Sequence, residues 1–364
     1  MKATMRVLIL SPTTLPTVTG NAVTAERWRQ ALSNGGLAVR VVATEGLSDS
    51  QLVQEVRDFK PDLIHAHHIF RAGGMLLSPR VGSECNGLPI VVSPAGTDIN
   101  IDLKESDRRE VISKVLGLAS AVIVQRHETV QTLKQVAPSL DGRVAYVPKS
   151  CSWLGDDFFD LRGIAGCQRE NFLFFLPAGI RPVKGNLECL AALEKVYVVR
   201  PSIHAVFAGP ALDRDYAMRF EKEVTRLKAF TRWIPLIPLR AMRSAYEAAD
   251  VVLISSFSEG LSNTLLEAMA AGKPVLASDI LGNRGHVLGE DGEAPCGFLY
   301  DLHSPEDFIR KALILIDDER LRRSLGDAGQ KKSTQGPSPV DEAVQLALVY
   351  DRAMDSLKGK HSWI

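Results

Sequence analysis

Short apolar runs rich in β-branched residues recur along the chain, each released by a small residue or proline into a segment of helical period. RVLILSP (Arg6 to Pro12) reads as a buried strand, AVTAERWRQALSNGG (Ala22 to Gly36) as a helix with a glycine stop, and AVRVVAT as the next strand. This β-α-β opening continues in DLIHAHH, PIVVSPAG and AVIVQ, which predicts an open parallel sheet over the first 150 residues. CSWLGDDFFDLRGIAGCQREN (Cys151 to Asn171) interrupts the pattern with glycines and charges. FLFFLPAG, HAVFAGP, VVLISSF and PVLASD then supply a second set of strands, with helices expected near 215–228, 239–249 and 262–271. The fold class is α/β: two Rossmann-like doubly wound domains, expected at 1–160 and 170–338 and facing each other across a cleft. The final amphipathic helix, 339–358, has no strand after it and is placed to pack back on the first domain.

Composition limits the function classes. At 364 residues the chain is long enough for two cores, and 45% hydrophobic with 24% charged residues is ordinary for a globular protein. Forty-three basic residues balance 43 acidic ones, so there is no electrostatic case for nucleic acid or an anionic membrane as main partner. The opening MKATMRVLILSP is too brief and too β-branched for a signal peptide, and no stretch reaches spanning length, so a cytoplasmic location is expected. Peripheral association and oligomeric state stay open. Five cysteines are scattered singly without CxxC pairing, which suggests neither a zinc site nor a disulfide framework.

In an open α/β sheet the ligand crevice lies beyond the C-terminal strand ends. VVLISSFSEGLSNTLLEAM occupies such a place. The strand ends near Ser256, Glu259 falls in the loop, and Ser262 or Asn263 is suited to cap a helix whose first N–H groups attract a phosphate. Glu267 follows Ser262 by roughly 7 Å along a helix rising about 1.5 Å per residue. One carboxylate thus lies ahead of an anion cradle and the other beside its first turns. Sugar hydroxyls donate well to such carboxylates, so the pattern suits a ligand with hydroxyl-rich rings on both sides of a diphosphate. The bland alternative is a solvated surface helix.

Other strand ends carry further polar residues. PAGIRPVKGN sets Arg181 and Lys184 at a loop entering a helix, where two cations can neutralise a diphosphate or simply be solvated. TVTGNAVTAERW puts Gly20 and Asn21 after the first strand without GxGxxG, so a nicotinamide or flavin dinucleotide finds no support. His67, in DLIHAHH, reads equally as a substrate contact or a packed strand-end histidine. Thr97, Asp98 and Asn100, in SPAGTDINID, suit either a polar acceptor site or an Asx turn. Asp213 and Asp215, in LDRD, mimic a metal-binding triplet but are read as a charge pattern at a helix N-terminus.

Taken in order, GNAVTA, AGTDIN, GIRPVKG, FAGP and SEGLSNTLLEAMAAGKPVLASD resemble glycosyltransferase family 4, with its GT-B fold, and within it the glycosyltransferase-1-domain-containing proteins. The resemblance implies a retaining, metal-independent transfer from a nucleotide diphosphate sugar, UDP-linked, to a small-molecule or glycan acceptor, with no cofactor. By position, it implies that Glu259 holds the donor sugar and Glu267 the nucleotide ribose. Arg181 and Lys184 would grip the diphosphate with backbone N–H groups of Gly260, Leu261, Ser262, Asn263 and Thr264. Gly20 and Asn21 would face the donor from the first domain, Leu236 would lie near the base, and His67, Thr97, Asp98 and Asn100 would serve the acceptor. Three positions depart from the family pattern: the shortened R-P-V-K spacing, AGTDIN in place of a histidine-led loop, and Gly285 and His286 where an acidic residue is common. A nucleotide-sugar epimerase or hydrolase and a selenosugar-type synthase are the alternative readings on the same fold.

Overall fold

The computed structural model describes residues 4–140, 142–289 and 292–357. The chain divides into two compact units, one made of 1–150 with 337–364 and the other of 151–336. Residue 358, the last of the expected C-terminal helix, lies outside the described residues.

The first unit holds β1 (Arg6–Ser11), β2 (Ala38–Ala43), β3 (Leu63–His67), β4 (Ile90–Ser93), β5 (Ala121–Val124) and β6 (Val144–Tyr146), in the order β2-β1-β3-β4-β5-β6. Every pairing is parallel. Parallel strands are covered on both faces and lose the alternation of a one-sided sheet, which is why β3 and β5 are buried at every position. The Pro339–Leu357 helix closes one face. Leu346, Val349, Tyr350 and Ala353 join Trp28 and Leu32 of the Gly20–Asn34 helix in one buried cluster. With Leu346 at 0% exposure, truncating it to alanine costs about 2–5 kcal/mol.

The second unit contains β7 (Phe172–Pro177), β8 (Ile203–Ala208), β9 (Thr231–Ile234), β10 (Val251–Ile254), β11 (Val275–Ser278) and β12 (Gly297–Tyr300), ordered β12-β11-β10-β7-β8-β9 and again wholly parallel. Both sheets reverse direction in strand order, the first between β1 and β3 and the second between β7 and β10. At such a switch point neighbouring strands send their following loops to opposite faces, which opens a crevice at the C-terminal ends.

Three strands went unread in the sequence: β6, β9 and β12. Each has three or four residues. VAY is too short for a period, TRWI carries an arginine, and GFLY begins on glycine, so pairing with a neighbouring strand decides them rather than local propensity.

Candidate active site

The switch point of the second sheet brings two loops side by side. β7 and β10 pair directly, and beyond them the Phe257 amide donates to the Val183 carbonyl at 2.9 Å while Ser255 Oγ donates to the Lys184 carbonyl at 2.7 Å. Gly185 makes the approach possible. Its φ of +60° is left-handed, and a Cβ there would run into the Ser255 carbonyl oxygen.

This stitching places the Lys184 ammonium 2.5 Å from Glu259 Oε1, and Ser256 Oγ donates to that same oxygen at 2.6 Å. The two charged side chains are 19% and 14% exposed, so the pair is sheltered from water. Burial by itself raises the Glu259 carboxyl. The Lys184 charge and hydrogen bond, the Ser256 hydroxyl and the more distant Arg181 outweigh it and hold the group below its ordinary value. Glu259 is therefore an ionised acceptor at neutral pH. Arg181 precedes the short turn Pro182–Lys184, and its backbone N–H donates to Asn186 Oδ1 at 3.3 Å.

The Asn263–Ala270 helix begins next to this pair. Ser262 takes the N-cap position with extended backbone angles, but its side chain makes no capping bond, which corrects the capping expected of it. The helix is instead moored by Thr264, whose hydroxyl donates to the Pro177 carbonyl at the end of β7 at 3.1 Å. Gly260 and Leu261 lead into it, and Asn263 is its first residue; both leading residues and Asn263 are half-buried. A helix start of this kind carries partial positive charge and suits an anion.

Glu267, 8% exposed, lies one turn further on and accepts a hydrogen bond at 2.5 Å from the hydroxyl of fully buried Tyr246. The loop is also backed from the far side. A Cβ on Gly282 would come within 2.6 Å of the Glu259 and Gly260 carbonyl oxygens, so the Leu281–Leu288 helix packs directly on it. Ser278 Oγ donates to the Ser256 carbonyl at 2.6 Å, and Asn283 Nδ2 to the Ser278 carbonyl at 2.9 Å.

Leu236 sits in the loop after β9 and is 56% exposed, available to a flat ligand surface. Asp213 caps the Arg214–Arg226 helix through the Tyr216 amide at 2.9 Å, the helix-terminal reading of LDRD. Among the described residues no group of three or more His, Cys, Asp or Glu is arranged to hold a metal, and no helix is long and apolar enough to cross a membrane.

The first unit treats its expected residues differently. Gly20 is exposed at the start of its helix, which Thr19 caps through the Ala22 amide at 3.1 Å, and Asn21 follows, half-buried. His67 is 3% exposed, shares the Ser93 hydroxyl with His65 at 2.9 Å, and meets Trp28 edge-on at 4.8 Å. That packing has the form of the strand-end histidine. Burial, then the charges of His65, Lys149 and His68, push it well below the usual histidine value.

Asp98 also needs correction as an acceptor contact. At 0% exposure its carboxylate accepts the amides of Ile69, Ala95, Gly96 and Ile99 at 2.8 to 3.1 Å. Asp98 shapes the loop from inside. Thr97, hydrogen-bonded at 3.0 Å to His68 Nε2, and half-buried Asn100 are the residues that loop presents near its surface.

Residues 159–332, which hold the Lys184–Glu259 pair and the Glu267 helix, match the family described as Glycosyl transferases group 1. That segment is a group 1 glycosyl transferase domain. Across both units, the chain is similar to Glycosyltransferase 1 domain-containing protein 1 of Xenopus tropicalis, 25% identical over 327 residues that span 88% of this chain and 90% of that protein. In fold it is similar to sucrose-phosphate synthase from Thermosynechococcus elongatus, with a TM-score of 0.77 at 16% identity, covering 97% of this chain and all (100%) of that one. A second likeness is to HepE from Anabaena, solved in complex with UDP and glucose: TM-score 0.75, 19% identity, 95% of this chain and 99% of that one. The fold is GT-B, and the family match covers the second unit.

Tyr246, Ser256 and Asn283 escaped the sequence reading. Their signal is faint: a tyrosine in an alanine-rich helix, a serine at a strand end and an asparagine in a helix are all common. Only their partners give them meaning.

Proposed function

We propose that the protein is a retaining glycosyltransferase that moves a sugar from a UDP-linked nucleotide diphosphate sugar to a small-molecule or glycan acceptor, without a metal. The observation that carries this reading is the convergence, at one switch point, of Lys184, Glu259 and the start of the Asn263–Ala270 helix. Lys184 and Arg181 neutralise the diphosphate, with the helix N–H groups beside it. Glu259 accepts from the sugar hydroxyls, and Glu267 accepts from the ribose. As the sugar leaves, charge builds on the diphosphate, and cations already in place stabilise it without reorganisation.

The UDP assignment is supported by the fold likeness to HepE, solved with UDP and glucose. Retention rests on the family resemblance. Thr97 and Asn100 serve the acceptor, on a loop that Asp98 holds in shape. A thermal-shift panel of UDP-, GDP- and ADP-sugars tests the donor class: stabilisation by UDP-sugars is expected, and a flat response to all three removes the reading. Incubation of UDP-sugar with no acceptor should leave it intact, whereas an epimerase or hydrolase would consume it.

A further inference from the structure

Tyr246 belongs to the Met242–Ala248 helix, outside both loops that form the donor grip. Its ring is fully buried, 5.3 Å from Phe175 and 5.6 Å from Trp153 between centroids. Packing alone would be served as well by phenylalanine, since a hydroxyl taken into such a pocket loses its water and must find a partner. The partner is Glu267 Oε2, at 2.5 Å. Burial first, and the Glu267 charge second, raise the phenol well above its usual value, so it stays a donor at every working pH.

Thr264, on the same helix as Glu267, donates to the Pro177 carbonyl. Pro177 ends the strand whose next residues, Ala178 to Arg181, lead into the basic loop. The Thr264 bond fixes the helix, and the Tyr246 bond the carboxylate on it, relative to the strand that leads to Arg181 and Lys184. Ribose and diphosphate are joined covalently in a nucleotide, so recognition of both needs that separation to be fixed.

We infer that Tyr246 is a positioning residue that makes the Glu267 carboxylate discriminate for ribose hydroxyls, an inference that rests on the nucleotide-sugar reading above. Tyr246 itself touches no ligand. Its loss removes the hydrogen bond that sets Glu267 Oε2, which weakens ribose recognition while diphosphate recognition persists.

The test compares binding of UDP and 2′,3′-dideoxy-UDP, by calorimetry, to the full chain and to Tyr246→Phe, Glu267→Gln and the double variant. The unsubstituted protein should prefer UDP by about tenfold, the scale of one charge-assisted hydrogen bond. Tyr246→Phe should reduce the preference to about twofold or less with dideoxy-UDP affinity unchanged, and adding Glu267→Gln should change little more. A Tyr246→Phe protein that melts earlier yet keeps the full preference overturns the inference and leaves Tyr246 a core residue. An unsubstituted protein that binds both nucleotides equally overturns it too, with the diphosphate reading intact. Failure to bind UDP, ADP and GDP alike removes the donor reading itself, and the inference with it.

Discussion

Lys184 Nζ and Glu259 Oε1 lie 2.5 Å apart, although 75 positions separate the two residues in the chain. The ammonium grips phosphate and the carboxylate grips sugar in the proposed donor complex, and the ammonium keeps the carboxylate ionised. Lys184→Ala should lower turnover of the nucleotide sugar by about a hundredfold or more, the scale for removing one preorganised donor to developing charge. It also leaves Glu259 with burial as the dominant influence, so the carboxyl should titrate higher. Measuring nucleoside diphosphate release against pH checks both; unchanged turnover would exclude Lys184 from the chemistry.

In the proposed donor complex Arg181 and Lys184 supply the positive charge beside the diphosphate. Activity should therefore survive extensive dialysis against EDTA, with less than about a twofold change, well below the tenfold that 1.4 kcal/mol of transition-state stabilisation represents. Loss of activity restored by magnesium or manganese would defeat the metal-independent assignment.

Three buried histidines predict a pH limit for the first unit. Burial holds His65 at about 3, and it lowers His67 and His68 in the same direction. A folded value below the ordinary 6.5 means the unfolded chain binds protons first. Stability is thus complete above about pH 6.5 and is lost as pH falls from there toward 3, by up to about 1.4 kcal/mol per pH unit for each histidine. Urea midpoints at pH 7.5 and 5.5 should differ clearly, with a smaller difference in His65→Gln. Equal midpoints would contradict the neutral, buried state of the cluster. Glu259 acts in a lower window: its contribution is complete above about pH 4.5 and lost as pH falls through its depressed value.

Glu342, 6% exposed on the C-terminal helix, accepts from Trp28 Nε1 at 2.7 Å and from the Ser150 amide and hydroxyl at 2.8 and 2.6 Å. Glu342→Ala strands three buried donors at once and should cost about 3 kcal/mol. Chemical denaturation of the full chain reads this directly. A loss under about 0.5 kcal/mol, the usual range for surface substitutions, would show that these bonds are replaced by water.

How much of this was legible without coordinates differs from element to element. Apolar runs punctuated by glycine or proline are local, so the longer strands of both sheets could be read, and with them the two doubly wound layers. The loop after β10 could be read too, because a strand end followed by a helix start is a local pattern with a local electrostatic consequence. β6, β9 and β12 could not, since a three-residue run, an arginine in TRWI and a leading glycine in GFLY blur the apolar signal, and pairing with a neighbour makes them strands.

Side-chain roles divided in the same way. Glu259 and Lys184 were picked out by type and position, yet only the β7–β10 pairing brings them into contact. His67 and Asp98 have the residue types of a binding site, but tertiary packing turns the first against Trp28 and spends the second on four backbone amides. Tyr246 and Glu342 gave no signal, because their meaning lies in partners 21 and 314 positions away. The chain's order of residues determined most of the strands and helices, since these follow from propensity and period over a few neighbours. Which polar groups meet, and which of them are taken out of water, was decided only by the folded contacts, because hydrogen bonding and desolvation act over a few ångströms of space irrespective of distance along the chain.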